Sequence, residues 1–149
     1  MKTKFLIAGR LALGLIFVVA AYAKLKAPWL VFAGSLNDFG ILPESWLEPV
    51  ARTLPWAELA LGLALISGIW QRWFALIAAL ILGLFFSVMV RSYAMGLKID
   101  CGCFGPGEQL GPITLLRDFS MLALAIAVTI FSFRKPQIPA DAEAEIAVA

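Results

Sequence analysis

Two cysteines, Cys101 and Cys103, stand one glycine apart in the stretch Asp100-Cys101-Gly102-Cys103-Phe104-Gly105-Pro106-Gly107, and the chain has no other thiol. A Cys-x-Cys pair can close a short, strained disulfide, and Gly102 relieves part of the strain because glycine tolerates positive φ. Strained, exposed disulfides are the labile and catalytic ones. Nearby cations lower a thiol pKa and raise the thiolate fraction. Lys98, Arg91 and Arg117 are the candidate sources of that field, with the amino end of the following helix, and Asp100 opposes it. Gly105, Pro106 and Gly107 are expected to keep the loop turned and thin, so that a partner reaches the sulfurs. Three other readings stay open. A structural disulfide this short closes almost no loop and stabilises little. A Cu(I) site would suit soft thiolates. The pair could also be inert.

The elements that must carry this loop are apolar. Of 149 residues, 62% are hydrophobic and 15% charged, against about half apolar and a quarter charged in an average soluble domain. A membrane protein follows. There is no histidine, which removes the commonest general base and metal ligand. The net charge of +2 is not clustered on a helix face, so no nucleic-acid partner is expected. Two cysteines cannot build a four-thiolate zinc site, and no metal site is assigned.

Four apolar runs predict an all-α, integral membrane four-helix bundle occupying residues 1–135, with spans at about 5–24, 53–70, 73–93 and 114–133. Outer loops cover about 25–52 and 94–113, and the tail from 136 to 149, with its prolines and acids, is expected to be disordered. The first run admits two readings. Its basic start and Ala21-Tyr22-Ala23 resemble a signal peptide. Its length suits a membrane span, and the retained helix is favoured because Arg10 would shorten a signal sequence and three more spans follow. The 24–52 loop carries Trp29 and Trp46, which suit a lipid–water boundary. Trp29-Leu30-Val31-Phe32 with Leu36 and Phe39 reads as a short helix, either flat on the membrane or covering the bundle. A two-residue turn at Gln71-Arg72 is expected to make the second and third spans antiparallel neighbours, joined through Ala60, Ala64 and Gly68 on one and Ala75, Ala79, Gly83 and Ser87 on the other.

Lys2, Lys4, Arg72, Arg134 and Lys135 fall on one face of such a protein. The opposite face also carries Lys24, Lys26, Arg52, Arg91, Lys98 and Arg117, so raw counting under the positive-inside rule opposes placing the termini inside. Arg91 and Arg117 fall at helix lips, and a cysteine pair suits an oxidising compartment. The expected arrangement is a multi-pass protein of the bacterial inner membrane, termini cytoplasmic and cysteine loop periplasmic. Glu58 lies about two turns into its span, where a charge costs about 2.5–3.5 kcal/mol and needs a partner. Glu58 with Arg91, Arg117 and Asp118 is either a polar pocket beneath the cysteines or an ion-pair network that fixes helix register. Arg10 is expected to snorkel to head groups.

Arg10 and Lys24 flanking the first span, Leu54-Pro55 with Glu58 and Gly62, Arg91 with Gly96, Cys101-Gly102-Cys103-Phe104-Gly105, and Arg117-Asp118 together resemble the MauE family of methylamine-utilisation membrane proteins, within the broader DoxX-like group. The resemblance covers about residues 5–133. It implies a four-helix membrane bundle linked to maturation of the disulfide-rich small subunit of methylamine dehydrogenase, and partnership with thioredoxin-like proteins. Three functions remain in view. One is a thiol–disulfide oxidoreductase in which Cys101 and Cys103 exchange electrons with a periplasmic thioredoxin-like protein or disulfide-containing client. The chain has no second cysteine pair, so a quinone in the bundle near Glu58 and Arg91, or a redox partner, must take the electrons. The others are a non-catalytic assembly or docking factor and a Cu(I)-handling protein.

Overall fold

The computed structural model describes residues 2–104 and 107–134. Among these the chain is all-helical: α1 (Lys2–Lys26), α2 (Trp29–Asp38), α3 (Glu44–Ser67), α4 (Gln71–Ala94) and α5 (Pro112–Arg134). All but α2 are long and apolar enough to cross a membrane. The expected tail, and Gly105 and Pro106 of the cysteine loop, lie outside the described residues.

Helix α3 starts nine residues before the expected span, at Glu44 rather than near 53. Pro43 caps it in an extended conformation, and Pro49 and Pro55 sit inside the helix. Each proline removes one intrahelical bond, a loss that membrane helices absorb. The α3–α4 turn is Gly68-Ile69-Trp70, not Gln71-Arg72, which open α4. Gly68 (φ 78°) and Trp70 (φ 44°) both take left-handed backbone to make it.

A short turn does not by itself make a packed pair. The main helix partnerships are α1 with α3 and α4 with α5, and α3 touches α4 only lightly. The reason lies in the glycines. A methyl group on Gly14 would come within 2.9 Å of the Gly62 carbonyl oxygen, and one on Gly62 within 2.8 Å of the Gly14 carbonyl oxygen. In lipid, where packing must replace the hydrophobic drive, such contact selects partners. Of the expected matching ribbon, Ala60 is exposed, while Gly83 of α4 faces Leu122 of α5. The central core joins Leu13 and Phe17 of α1, Leu61 and Leu65 of α3, Ala75 and Ala78 of α4, and Ala125 and Val128 of α5.

Helix α2 is a cover. Its buried residues Phe32, Ala33 and Leu36 pack with Ala51 of α3. Trp29, read from sequence as an interfacial residue, carries the Arg52 guanidinium 4.6 Å from its ring centre. Arg10 approaches the α3–α4 turn: a methyl group on Gly68 would meet its guanidinium.

Candidate functional site: a thiol cap over an apolar cleft

After α4 the chain turns at Gly96 (φ 72°) and folds back on itself. An antiparallel bridge pairs Asp100 with Gln109. Cys101 N–H donates to the Glu108 carbonyl at 2.9 Å, and Leu110 N–H to the Ile99 carbonyl at 2.8 Å. The Asp100 carboxylate accepts from Gly107 N–H at 3.3 Å. This closure brings Glu108 beside Cys101, seven residues earlier in sequence. Gly102 takes φ 66°, and a methyl group there would lie 3.1 Å from Ser35 Cβ of α2. Glycine is therefore required twice, for its backbone and for the approach of the cover helix.

Both cysteines are free thiols. The expectation of two sulfurs in easy reach needs correction: Cys101 is only 2% exposed, packed with Phe39, Met89 and Leu110. Cys103 is half-buried. The bridge folds the loop onto the helix ends, and α2 covers it. The Cys101 thiol donates to Glu108 Oε2 at 3.2 Å. Cys103 Sγ lies 3.7 Å from the Cys101 carbonyl oxygen and 4.0 Å from Asp118 Oδ2, the long limit for sulfur.

The two thiols are electrostatically unequal. A hydrogen bond from Cys103 holds the Cys101 thiol below its ordinary pKa, against burial and Glu108, which favour the protonated form. Donating that bond pushes Cys103 well above the ordinary value, reinforced by burial and by the negative charge of Asp118. Burial pushes Glu108 up, but hydrogen bonds from Arg117 and Cys101 outweigh it and hold the carboxyl below its ordinary value. The expected cation field is therefore corrected as well. Arg91 and Lys98 are exposed, and neither lines the cleft below. Arg117 is spent on carboxylates: it bridges Glu108 and, through Nε and Nη2 at 3.2 Å each, Asp118 Oδ1. Its guanidinium also stacks 4.7 Å from the Phe104 ring centre. Arg117 thus staples both limbs of the loop to α5. The opposing acid is Glu108, not Asp100.

Glu58 finds its partner in Lys24 of α1, whose Nζ lies 2.8 and 2.7 Å from its two carboxylate oxygens. The pair is buried, with side chains 4% and 6% exposed. Beneath the loop is a cleft of about 550 Å³, its open side included. Cys103, Lys24, Glu58 and Asp118 line it together with Ile16, Phe17 and Ala20 of α1, residues of α4 between Ile81 and Met89, and Met121 of α5. Among the described residues, no group of three or more His, Cys, Asp or Glu side chains is disposed to hold a metal ion.

Of the residues singled out from sequence, Cys101, Cys103, Glu58, Arg117 and Asp118 converge, while Arg91 and Lys98 do not. Glu108 was missing from the expected pocket, and Lys24, one of three cations expected to end at the level of Glu58, was not assigned to it. Lys24 extends the buried stripe Leu13, Phe17, Ala20, Ala21 of α1 at helical spacing. Glu108 follows a glycine-rich turn that could return the chain beside Cys101.

A bundle of four long apolar helices under a covered polar cap defines an all-helical membrane protein. The family model described as methylamine utilisation protein MauE matches residues 2–131, and the chain belongs to that family. It is 33% identical over 122 residues to the methylamine utilization protein MauE of Paracoccus denitrificans, covering 80% of this chain and 65% of that protein. It is 31% identical over 116 residues to the protein of that name from Methylophilus methylotrophus, covering 77% and 60%. With that of Methylorubrum extorquens it shares 30% over 120 residues, covering 78% and 63%. The matched region thus spans somewhat less than two thirds of each relative's length. No solved structure matches the chain.

Proposed function

We propose that this protein is a membrane thiol–disulfide redox protein of the methylamine-utilisation type, which supports disulfide formation in a client outside the inner membrane, directly or through a thioredoxin-like partner. Cys101 and Cys103 are the working pair. The termini are cytoplasmic and the cysteine loop periplasmic. The observation that carries this reading is the thiol pair itself: a half-buried free Cys103 one glycine away from a buried free Cys101, held in place by the loop's own hydrogen bonds.

That difference in burial suits oxidation of a client. With the pair closed as a disulfide, a client thiolate attacks Cys103, the sulfur within reach. The Cys101–Cys103 bond breaks, and Cys101 leaves as thiolate and takes up a proton, which it then shares with Glu108 Oε2. The client's second thiolate then attacks the mixed disulfide and displaces Cys103, which takes up a proton. The client ends with one new disulfide, and the protein holds two thiols.

The test is a Cys101→Ser/Cys103→Ser double variant expressed in place of the wild type. Client disulfides are expected to stay unformed although the variant inserts normally. The burial of Cys101 gives the docking reading its one specific support. Normal client maturation with the double variant would establish docking and exclude the redox role.

A further inference from the structure

We infer that the cleft beneath Cys103 binds the ring of a lipid-soluble quinone, which takes the electrons of the reduced thiol pair. The inference rests on the thiol–disulfide reading above and supplies what that reading lacks, an acceptor. A second turnover requires the dithiol to be reoxidised, and the chain has no other cysteine to receive the electrons.

The cleft fits such a ligand in polarity and position. Its enclosed space is about 50 Å³ and one side is open, so the ring would be only partly enclosed. Its α1 wall runs from Ile16 to Lys24, about 12 Å at 1.5 Å per residue. Along that wall the lining changes from apolar at Ile16, Phe17 and Ala20 to charged at Lys24, level with Glu58 and Cys103. The gradient matches a molecule with an oxygen-bearing ring and a hydrocarbon tail. A phospholipid chain would fill the lower part but offers nothing to the polar end and accepts no electrons.

The polar groups can address a quinone carbonyl. An ammonium has three N–H donors, and Lys24 uses two on Glu58. Nζ also stands 5.3 Å from the Phe32 ring centre, and a carbonyl oxygen would compete with that ring for the third. Cys103 lines the same cleft and lies 4.0 Å from Asp118 Oδ2, so its proton has an acceptor at the cleft wall. The step balances. Two S–H bonds break and one S–S bond forms between Cys101 and Cys103. Two electrons and two protons pass to the quinone, whose carbonyl oxygens become the two hydroxyls of a quinol. Arg91, placed near such a site on sequence grounds, has no part in it.

The experiment uses the full chain, reduced, in nanodiscs of quinone-free phospholipid, with decylubiquinone as probe. Disulfide formation is followed by intact mass and quinol by absorbance. In parallel, diamide, a small soluble thiol oxidant, reports whether the pair can close at all. Radiolabelled decylubiquinone is titrated onto the Cys101→Ser/Cys103→Ser variant, which leaves the cleft and removes the chemistry. The expected results are saturable binding to that variant and one quinol per disulfide in the wild type. Ala20→Phe and Leu82→Phe, which fill the cleft, should slow oxidation by quinone at least about tenfold by displacing the ring, with the diamide rate unchanged. Disulfide closure by diamide but not by quinone would overturn the inference and leave the redox reading standing. So would unaltered quinone rates in both filled variants, or a cleft holding only phospholipid that decylubiquinone does not displace. Failure of diamide as well would overturn the redox reading and the inference with it.

Discussion

Glu108 and Arg117 hold the thiol loop in its fold. Glu108 accepts from the Cys101 thiol and from the Arg117 guanidinium, tying the return limb of the loop to both Cys101 and α5. Its carboxyl titrates below its ordinary value. Between the folded and ordinary values the unfolded loop therefore binds more protons than the folded one, and loop stability rises with pH. The contribution is complete above the ordinary carboxylate value and is lost as pH falls through the lower folded value. Hydrogen-exchange protection of the Cys101 and Leu110 amides, which close the loop, is expected to hold at neutral pH and to collapse over that acidic window. Glu108→Gln should remove the pH dependence. A second expectation concerns the sulfurs. Cys101→Ser leaves the reachable Cys103 without its partner, so its thiolate should attack a client supplied as the disulfide, displace one client thiol and hold the other as a mixed disulfide, whereas Cys103→Ser should trap none. Non-reducing electrophoresis of membranes checks both. The sequence displays the thiols, Glu58, Arg117 and Asp118 plainly, because ionisable residues in or beside apolar runs stand out. It hides the partner of each, since Lys24 meets Glu58 across 34 positions and Glu108 meets Cys101 only after a backbone bridge forms.

At the scale of elements, the α1–α3 crossing is the joint that sets the site, because Lys24 and Glu58 lie on these two helices, on the cysteine-loop side of it. Gly62→Ala would drive a methyl group against the Gly14 carbonyl oxygen and the Val18 amide. Overpacking of this kind costs about 1–3 kcal/mol, read as a lower midpoint of thermal unfolding in detergent. Gly34→Ala is the control: nothing lies within 4 Å of the added methyl group, and helix propensity makes it neutral or stabilising by up to about 1 kcal/mol. The four long helices are legible from hydropathy alone. Their pairing is not. Small-residue spacing on α3 and α4 suggested those two as partners, but many ribbons of small residues exist in a chain this apolar. Only the glycines that face each other select a crossing, and facing is a three-dimensional property. The start of α3 was hidden for a related reason: prolines read as helix breaks in water but are absorbed in a bundle.

At the scale of the whole molecule, the acidic residues among those described gather at the cysteine end of the bundle, where Lys24–Glu58, Arg52–Glu48 and Arg117 with Glu108 and Asp118 form ion pairs. The Lys24–Glu58 pair is the deepest instance. Lys24→Ala would leave a buried carboxylate uncompensated, at a cost of about 3–5 kcal/mol, measured as lost thermal stability in nanodiscs. A Lys24→Met/Glu58→Leu double variant should recover most of that loss while still failing to reduce quinone, which separates holding the helices together from serving the cleft. The most direct measurement for the central claim is the intact mass of the protein from membranes quenched with acid. The expected result is a population lighter by two hydrogen atoms, abolished by reduction and by either single cysteine variant, whose share rises and falls with the supply of reduced client. Two free thiols in every sample, while client disulfides form normally, would contradict it.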